Sequence, residues 1–245
     1  VEERVVPVRG VRRAGSVVIE RGVTASSVPV PGGVGSERQA AARGVAIALH
    51  YRHLDTGAMY RAVALAATAA DVAPSDHEKL SSLLGELQIE LTPLDDGRRV
   101  LLNGEDVSAD IRQPEITRCV GSYADRAVVR QQLVEVQRSM GAEGGIIAEG
   151  RDMSTVVFPG ADLKIRMLAE LEERTRRRHE EFVADGVDIT FDQVRTDIRT
   201  RDREDEERDY GADGPPLDVV EVRTDGLSIE TVIEQIVELA RLRGA

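Results

Sequence analysis

A chain of 245 residues with 41% hydrophobic and 31% charged side chains has the length for one or two packed domains and is too apolar for a disordered tail. Its formal net charge of -12 argues against a general nucleic-acid coat, and no apolar run is long enough to span a membrane. A lone Cys119 excludes a disulfide framework and a cysteine metal site, and His50, His53, His77 and His179 share no metal-ligand spacing.

In chain order, residues 1–27 read as an irregular extension dotted with Arg4, Arg9, Arg12 and Arg13 and lacking an apolar signal core, so a cytoplasmic setting is expected. The first strand has two placements, Val17-Val18-Ile19 or the proline-interrupted Val28-Pro29-Val30-Pro31, and the sequence leaves both open. Helical periodicity covers Glu37–His50, Arg52–Leu54 reads as a short strand, and Ala58–Ala69 as a second helix. Ser75 with Glu78 predicts a capping box for a third helix. Two short strands between Gln88 and Leu102 flank Asp95-Asp96-Gly97, a hairpin signal that looks like an inserted subdomain. Helices are expected at Glu115–Tyr123 and Ala127–Met140, then buried parallel strands at Ile146–Ala148 and Leu163–Met167. Charged helices at Leu171–Ala184 and Phe191–Glu207 precede a strand at Leu217–Val222 and an amphipathic helix at Ser228–Leu242, capped by Ser228. Strands alternating with helices predict an α/β parallel sheet flanked by helices.

Positive charge is nearly all arginine, because Lys79 and Lys164 are the only lysines. The arginine total fits a composition bias, so placement carries the argument: a guanidinium is a planar fork suited to phosphate and carboxylate. The most specific stretch is Leu54-Asp55-Thr56-Gly57-Ala58-Met59-Tyr60-Arg61-Ala62, a strand end delivering an acid and a hydroxyl, with an arginine one helical turn in. Arg61 and the helix N-terminus then face one crevice, where an anion is favoured. The second is Glu149-Gly150-Arg151-Asp152 with Thr155–Pro159, a buried strand ending in an Arg-Asp pair at the carboxyl edge of the sheet.

With Leu101–Ser108 and Leu227–Glu230, these stretches resemble the bacterial cytidylate kinases, phosphate-loop nucleoside monophosphate kinases, from about position 42 to the last helix. Shikimate and adenylate kinases share the fold class but not both motifs. The resemblance implies a nucleoside monophosphate kinase-like domain over 28–245, with a CMP-binding insert at about 86–142 and arginine-rich lid helices at about 171–208. It implies phosphoryl transfer from ATP to CMP or dCMP, Mg2+ carried with ATP and no metal held by a side-chain motif. The partners are then the nucleotides alone, with no nucleic acid and no membrane, and the default is a monomer. Asp55, Thr56, Arg61, Arg130, Arg151, Asp152, Arg201, Asp205 and Arg208 correspond to the CMP side, with Arg151, Asp152, Arg201 and Arg208 closest to the reacting phosphates. Arg174 and Arg177 fall where the family has ATP-side lid arginines. By themselves the 174–178 and 201–208 runs would read as salt-bridged helix faces.

The phosphate loop departs from the pattern. G-x-x-x-x-G-K-[ST] is expected at the first helix, and Pro31-Gly32-Gly33-Val34-Gly35-Ser36-Glu37-Arg38-Gln39-Ala40 stands there. Gly32, Gly33 and Gly35 can still supply backbone donors to ATP, and Ser36 is a displaced candidate for the magnesium-side hydroxyl. Arg38 occupies the lysine position, Glu37 replaces a glycine and Ala40 takes the place of the magnesium-side hydroxyl. An active kinase with a divergent loop is one reading. The alternative is a catalytically impaired homologue that binds CMP but handles ATP poorly, or a chain with a corrupted N-terminus.

Overall fold

The computed structural model describes residues 15–21, 37–94, 97–207 and 218–244. At its centre is a five-stranded sheet with every pairing parallel: β1 (Ser16–Arg21), β2 (Arg52–Asp55), β6 (Ile146–Gly150), β7 (Leu163–Leu168) and β8 (Val219–Arg223), in the order β2-β6-β1-β7-β8. The open strand placement is resolved in favour of Val17-Val18-Ile19. All three are completely buried at the middle of the sheet, because three consecutive apolar side chains suit a strand covered on both faces. The expected irregular extension over 1–27 is therefore corrected at Ser16–Arg21, which belongs to the core; Val28–Pro31 lies outside the described residues.

Alternation along the strands builds two cores. Val17 and Ile19 of β1, Ile147 of β6 and Ile165 of β7 face α1 (Glu37–Leu49) and α8 (Ile229–Leu242). Val18, Leu54, Ile146 and Ala148 face the opposite layer, α2 (Thr56–Ala69), α3 (His77–Glu86) and α5 (Ala127–Gly141), through Met59, Val63, Leu80 and Leu133. Each such fully buried side chain stabilises the fold by about 1.5–3 kcal/mol. The small residues of α1 bring it close to α8: a methyl group at Gly44 would sit 2.2 Å from Ile233 Cδ1. Ser228 caps α8, its hydroxyl accepting from Thr231 N at 3.3 Å.

The inserted region is an antiparallel sheet of β3 (Ile89–Leu94), β4 (Gly97–Leu102) and β5 (Glu105–Asp106), followed by α4 (Pro114–Ala124). Leu94 pairs with Gly97 as the hairpin signal predicts, although Asp95 and Asp96 lie outside the described residues. Val100 and Ile111 of this region pack on Ala58 and Ala62, so the insert rests directly on the helix that opens with Thr56. Helices α6 (Leu171–Ala184) and α7 (Phe191–Glu207) form a separate pair around Phe182, Val194 and Ile198. The predicted cap of α3 is corrected by one residue: Asp76, not Ser75, accepts from Lys79 N at 3.1 Å. No helix among the described residues is long and apolar enough to cross a membrane.

Candidate active site

The carboxyl ends of β1, β2 and β6 lie side by side, with Asp55 opposite Glu149 and Glu20 opposite Gly150 in the strand register. Open parallel sheets bind ligands at this edge, next to the point where chain order reverses, here between β1 and β6. Asp55 is the N-cap of α2: one carboxylate oxygen accepts from Ala58 N at 3.0 Å, and the other accepts from the side-chain amide of Gln39 on α1. The Thr56 hydroxyl donates to the Glu149 carbonyl at 2.7 Å and fastens β2 to β6. Gly150 must lack a side chain, since a methyl group there would lie 2.8 Å from Thr56 Oγ1 and 2.6 Å from Met153 Cε.

Arg61, one turn into α2, folds back over the start of its own helix; a methyl group on Gly57 would lie 3.3 Å from Asp55 Oδ1 and 3.7 Å from Arg61 Nη1. Its Nε is buried without a hydrogen-bond partner among the described residues. Burial pushes its pKa below the usual arginine value, with the Asp55 carboxylate opposing the shift and Arg112 adding to it. A guanidinium stays charged nonetheless. A desolvated cation with an orphaned donor, beside a helix N-terminus, is a site prepared for an anion.

Around it the buried polar groups interlock. Glu149, 3% exposed, receives Arg38 Nε on one oxygen at 3.1 Å and meets His53 Nε2 on the other at 3.0 Å. Past Gly150 a π-helical turn, Met153–Val157, carries the chain away from the edge. Such turns are often found at functional sites. Asp152 at its start is paired with Arg130 Nη2 of α5 at 2.7 Å. Burial raises the Asp152 pKa, against the pull of Arg130. Ser154 N donates to Glu20, whose carboxyl is also held above its usual value by burial.

Of the residues expected from sequence, Arg38, Asp55, Thr56 and Arg61 are thus brought into one cluster, with Arg130 and Asp152 joined beside it; Arg151 is exposed next to Asp152. Arg174 and Arg177 are engaged elsewhere. Arg174 is clamped on Asp202 of α7 at 3.2 and 2.8 Å and donates from Nε to the Ala169 carbonyl at 3.1 Å. Arg177 spans to Glu37 on α1 and to Thr224 after β8. Gly32, Gly33, Gly35, Ser36 and Arg208, and the side chains of Arg201 and Asp205, lie outside the described residues.

Sequence reasoning missed Glu20, Gln39, His53 and Glu149 as members of the site. Glu149 carried a usable signal, an acid closing a short apolar strand, whereas nothing local separated His53 or Gln39 from ordinary surface residues. Arg166, odd inside an apolar strand, lies opposite both Glu20 and Glu221 in the strand register, with its guanidinium 3.9 Å from Glu221.

A family model described as cytidylate kinase matches residues 28–242. The chain is 39% identical to a cytidylate kinase of Geobacillus kaustophilus, covering 89% of this chain and 97% of that one. It is likewise 39% identical to a cytidylate kinase of Bacillus subtilis, covering 86% and 95%. A bifunctional pantoate ligase/cytidylate kinase of Synechococcus elongatus is 43% identical over 89% of this chain, which spans 42% of that longer protein.

Proposed function

The chain belongs to the cytidylate kinase family, and on that premise we propose that it passes a phosphoryl group from ATP to CMP or dCMP, giving ADP and CDP or dCDP. The observation that carries the site assignment is Arg61: a desolvated guanidinium with a buried, unpartnered Nε, one turn inside a helix that starts at the sheet's carboxyl edge. An acceptor phosphate supplies the counter-charge it lacks. We assign Asp55, Thr56, Arg61, Arg130, Arg151 and Asp152 to the CMP side, with Arg201, Asp205 and Arg208 joining them from α7 and the segment after it. The insert over about 86–142 is read as the CMP-binding subdomain because it packs on α2 through Val100 and Ile111.

In the reaction an acceptor phosphate oxygen bonds to the γ-phosphorus while the bond to the β–γ bridging oxygen of ATP breaks, the electron pair leaving with ADP. Both partners are anionic, so the protein's work is to neutralise and align them. Arg38 and the α1 N-terminus serve the donor side, with Gly32, Gly33, Gly35 and Ser36 as backbone donors. Arg61 and the Arg130–Asp152 pair hold the acceptor. Arg174 and Arg177 belong to the helix pair at about 171–208, which we read as a lid that closes over ATP and excludes water.

Mg2+ is expected with ATP, where it neutralises charge on the donor oxygens. It keeps much of its water shell and takes hard oxygen ligands. Glu20, at the end of β1 on that edge, is a donor of that kind, suited to hold such an ion through its waters. We take the protein to act as a cytoplasmic monomer on nucleotides alone. Relatives named cytidylate kinase lend no support to the catalytically impaired alternative.

Purified protein with ATP, Mg2+ and CMP is expected to form CDP and ADP in equal amounts, with CMP binding measured by calorimetry in parallel. Absence of both turnover and CMP binding would overturn the reading. Turnover on another monophosphate with none on CMP would overturn the substrate assignment alone.

A further inference from the structure

An arginine in the lysine position of a phosphate loop is longer, bulkier and differently shaped, and the two are not interchangeable. We propose that Glu149 is a positioning residue that makes Arg38 serviceable there, by anchoring the guanidinium at Nε and leaving its two terminal amino groups as a fork for donor phosphate. This rests on the kinase reading above.

The geometry supporting it is local and complete on the protein side. Arg38 is the second residue of α1, so its side chain springs from a helix N-terminus. Its Nε donates to Glu149 Oε2 at 3.1 Å, and its η nitrogens make no hydrogen bond among the described residues. Glu149 itself has no freedom to follow the arginine about. Its other oxygen is held by His53 Nε2 at 3.0 Å, and its own carbonyl accepts from Thr56 Oγ1 at 2.7 Å. Glu149 and His53 are 3% and 4% exposed, while Arg38 is 18% exposed, so the anchor is buried and the anchored group reaches the crevice.

The arrangement answers a chemical problem. An untethered arginine loses several rotatable bonds on gripping phosphate, and its five donors can point in many directions. Fixing Nε on a buried carboxylate sets the plane of the guanidinium in advance, and the remaining pair of amino groups then matches two phosphate oxygens. Glu149 also offsets part of the positive charge gathered by Arg38 and Arg61. His53, with no other role apparent in the cluster, holds the second oxygen so that the carboxylate cannot turn toward a different partner. Its Nδ1 has no hydrogen-bond partner among the described residues, so its hydrogen bond in the cluster is the one to Glu149.

The test is a double-mutant cycle on ATP binding, run on the full chain with Glu149→Gln, Arg38→Ala and the pair combined. Glu149→Gln is nearly isosteric and removes the charge that orients the fork. It is expected to raise the ATP Kd and KM about tenfold, the scale of one charge-assisted hydrogen bond. The CMP Kd should stay within about twofold, because Arg38 is not on the acceptor side. In the Arg38→Ala background the same change should alter the ATP Kd by less than about twofold, since the group it positions has gone. A merely structural role for Glu149 would weaken both nucleotides alike and additively with Arg38→Ala, which overturns the proposal. Should Glu149→Gln not fold, Glu149→Asp, which keeps the charge but draws it back one methylene, enters the same cycle with the same expectations. A wild-type protein that turns over ATP and CMP while Glu149→Gln is indistinguishable from it overturns the positioning role alone. A wild-type protein that neither binds ATP nor turns over defeats the kinase reading and this one together.

Discussion

Arg177 on α6 donates from Nη1 to the carboxylate of Glu37 in the first turn of α1, and from Nη2 to the carbonyl of Thr224. Its Nε is held by Glu173 at 2.7 Å. One arginine therefore ties the α6–α7 pair to the helix that should bear the donor phosphates. Glu37 stands where the family pattern has glycine, and it gives that arginine a carboxylate instead of a phosphate to hold.

Glu37→Ala is expected to tighten ATP binding about fivefold, by releasing Arg177 and removing a negative charge from the donor side. The same change should lower stability by about 0.5 kcal/mol, because an acid in the first turn favours a helix. Calorimetry with ATP and thermal unfolding measure the two effects separately. Weaker ATP binding would instead mean that Glu37 presents Arg177 in its working position.

Arg61→Ala is expected to weaken CMP by about 100-fold, the scale of losing a desolvated contact to a charged group. ATP binding should change little. Its removal should leave the unfolding midpoint unchanged or slightly raised, since its buried Nε makes no hydrogen bond among the described residues and the desolvation of the guanidinium is a cost only partly offset by Asp55. Asp152→Ala should likewise weaken CMP, but with a loss of stability, because Arg130 loses its 2.7 Å contact with that carboxylate. Equal loss of both nucleotides in either variant would count against the assignment of this side.

Much of this was legible in the sequence because it rests on local patterns. The apolar triplets Val17–Ile19 and Ile146–Ala148, the cap at Ser228 and the strand-to-helix run at Leu54–Ala62 each state their structure within a few residues. The position of β1 was not settled, because nothing local says that the chain passes from Arg21 to Glu37 before resuming the pattern. The buried cluster was legible only in part. Glu149 lies 96 residues from His53 and 111 from Arg38 along the chain; the β2–β6 pairing brings His53 to it and the packing of α1 against β6 brings Arg38. The arginines of α6 show the opposite case: their run by itself reads as a salt-bridged helix face, and Arg174 indeed turns inward to Asp202 while Arg177 reaches Glu37 on α1.

Asp202→Ala is expected to cost about 3 kcal/mol, because it strands Arg174 as a buried, unpaired guanidinium. The damage should be confined to α6 and α7, whose shared core among the described residues is Phe182, Val194, Ile198 and their neighbours Leu171 and Ile189. Hydrogen exchange would then accelerate in those helices and leave β1, β6 and β7 protected. Uniform acceleration across the sheet would show that the helix pair and the core unfold as one unit.

The last prediction concerns Glu20, at the end of the central strand. Burial raises its pKa above the usual 4.5, although the Ser154 amide and the nearby Arg166 both favour the charged form. The folded state thus holds the proton more tightly than the unfolded chain does. The stability that this contributes is fully present below pH 4.5 and is lost as pH rises through the folded value. Glutamine keeps an acceptor for the Ser154 amide and carries no charge to desolvate. Glu20→Gln should therefore raise the unfolding midpoint at pH 7, with the gain shrinking as pH falls through that window and vanishing below it. Unfolding followed at pH 7 and pH 4 decides the matter. A gain of equal size at both values would trace the effect to packing, and a loss at pH 7 would mean that the carboxylate is held charged by Arg166 after all. If Glu20 also serves Mg2+ through its waters, the stabilised variant should show weaker Mg2+ dependence of turnover. That is the trade expected where a site residue is kept at some cost to the fold.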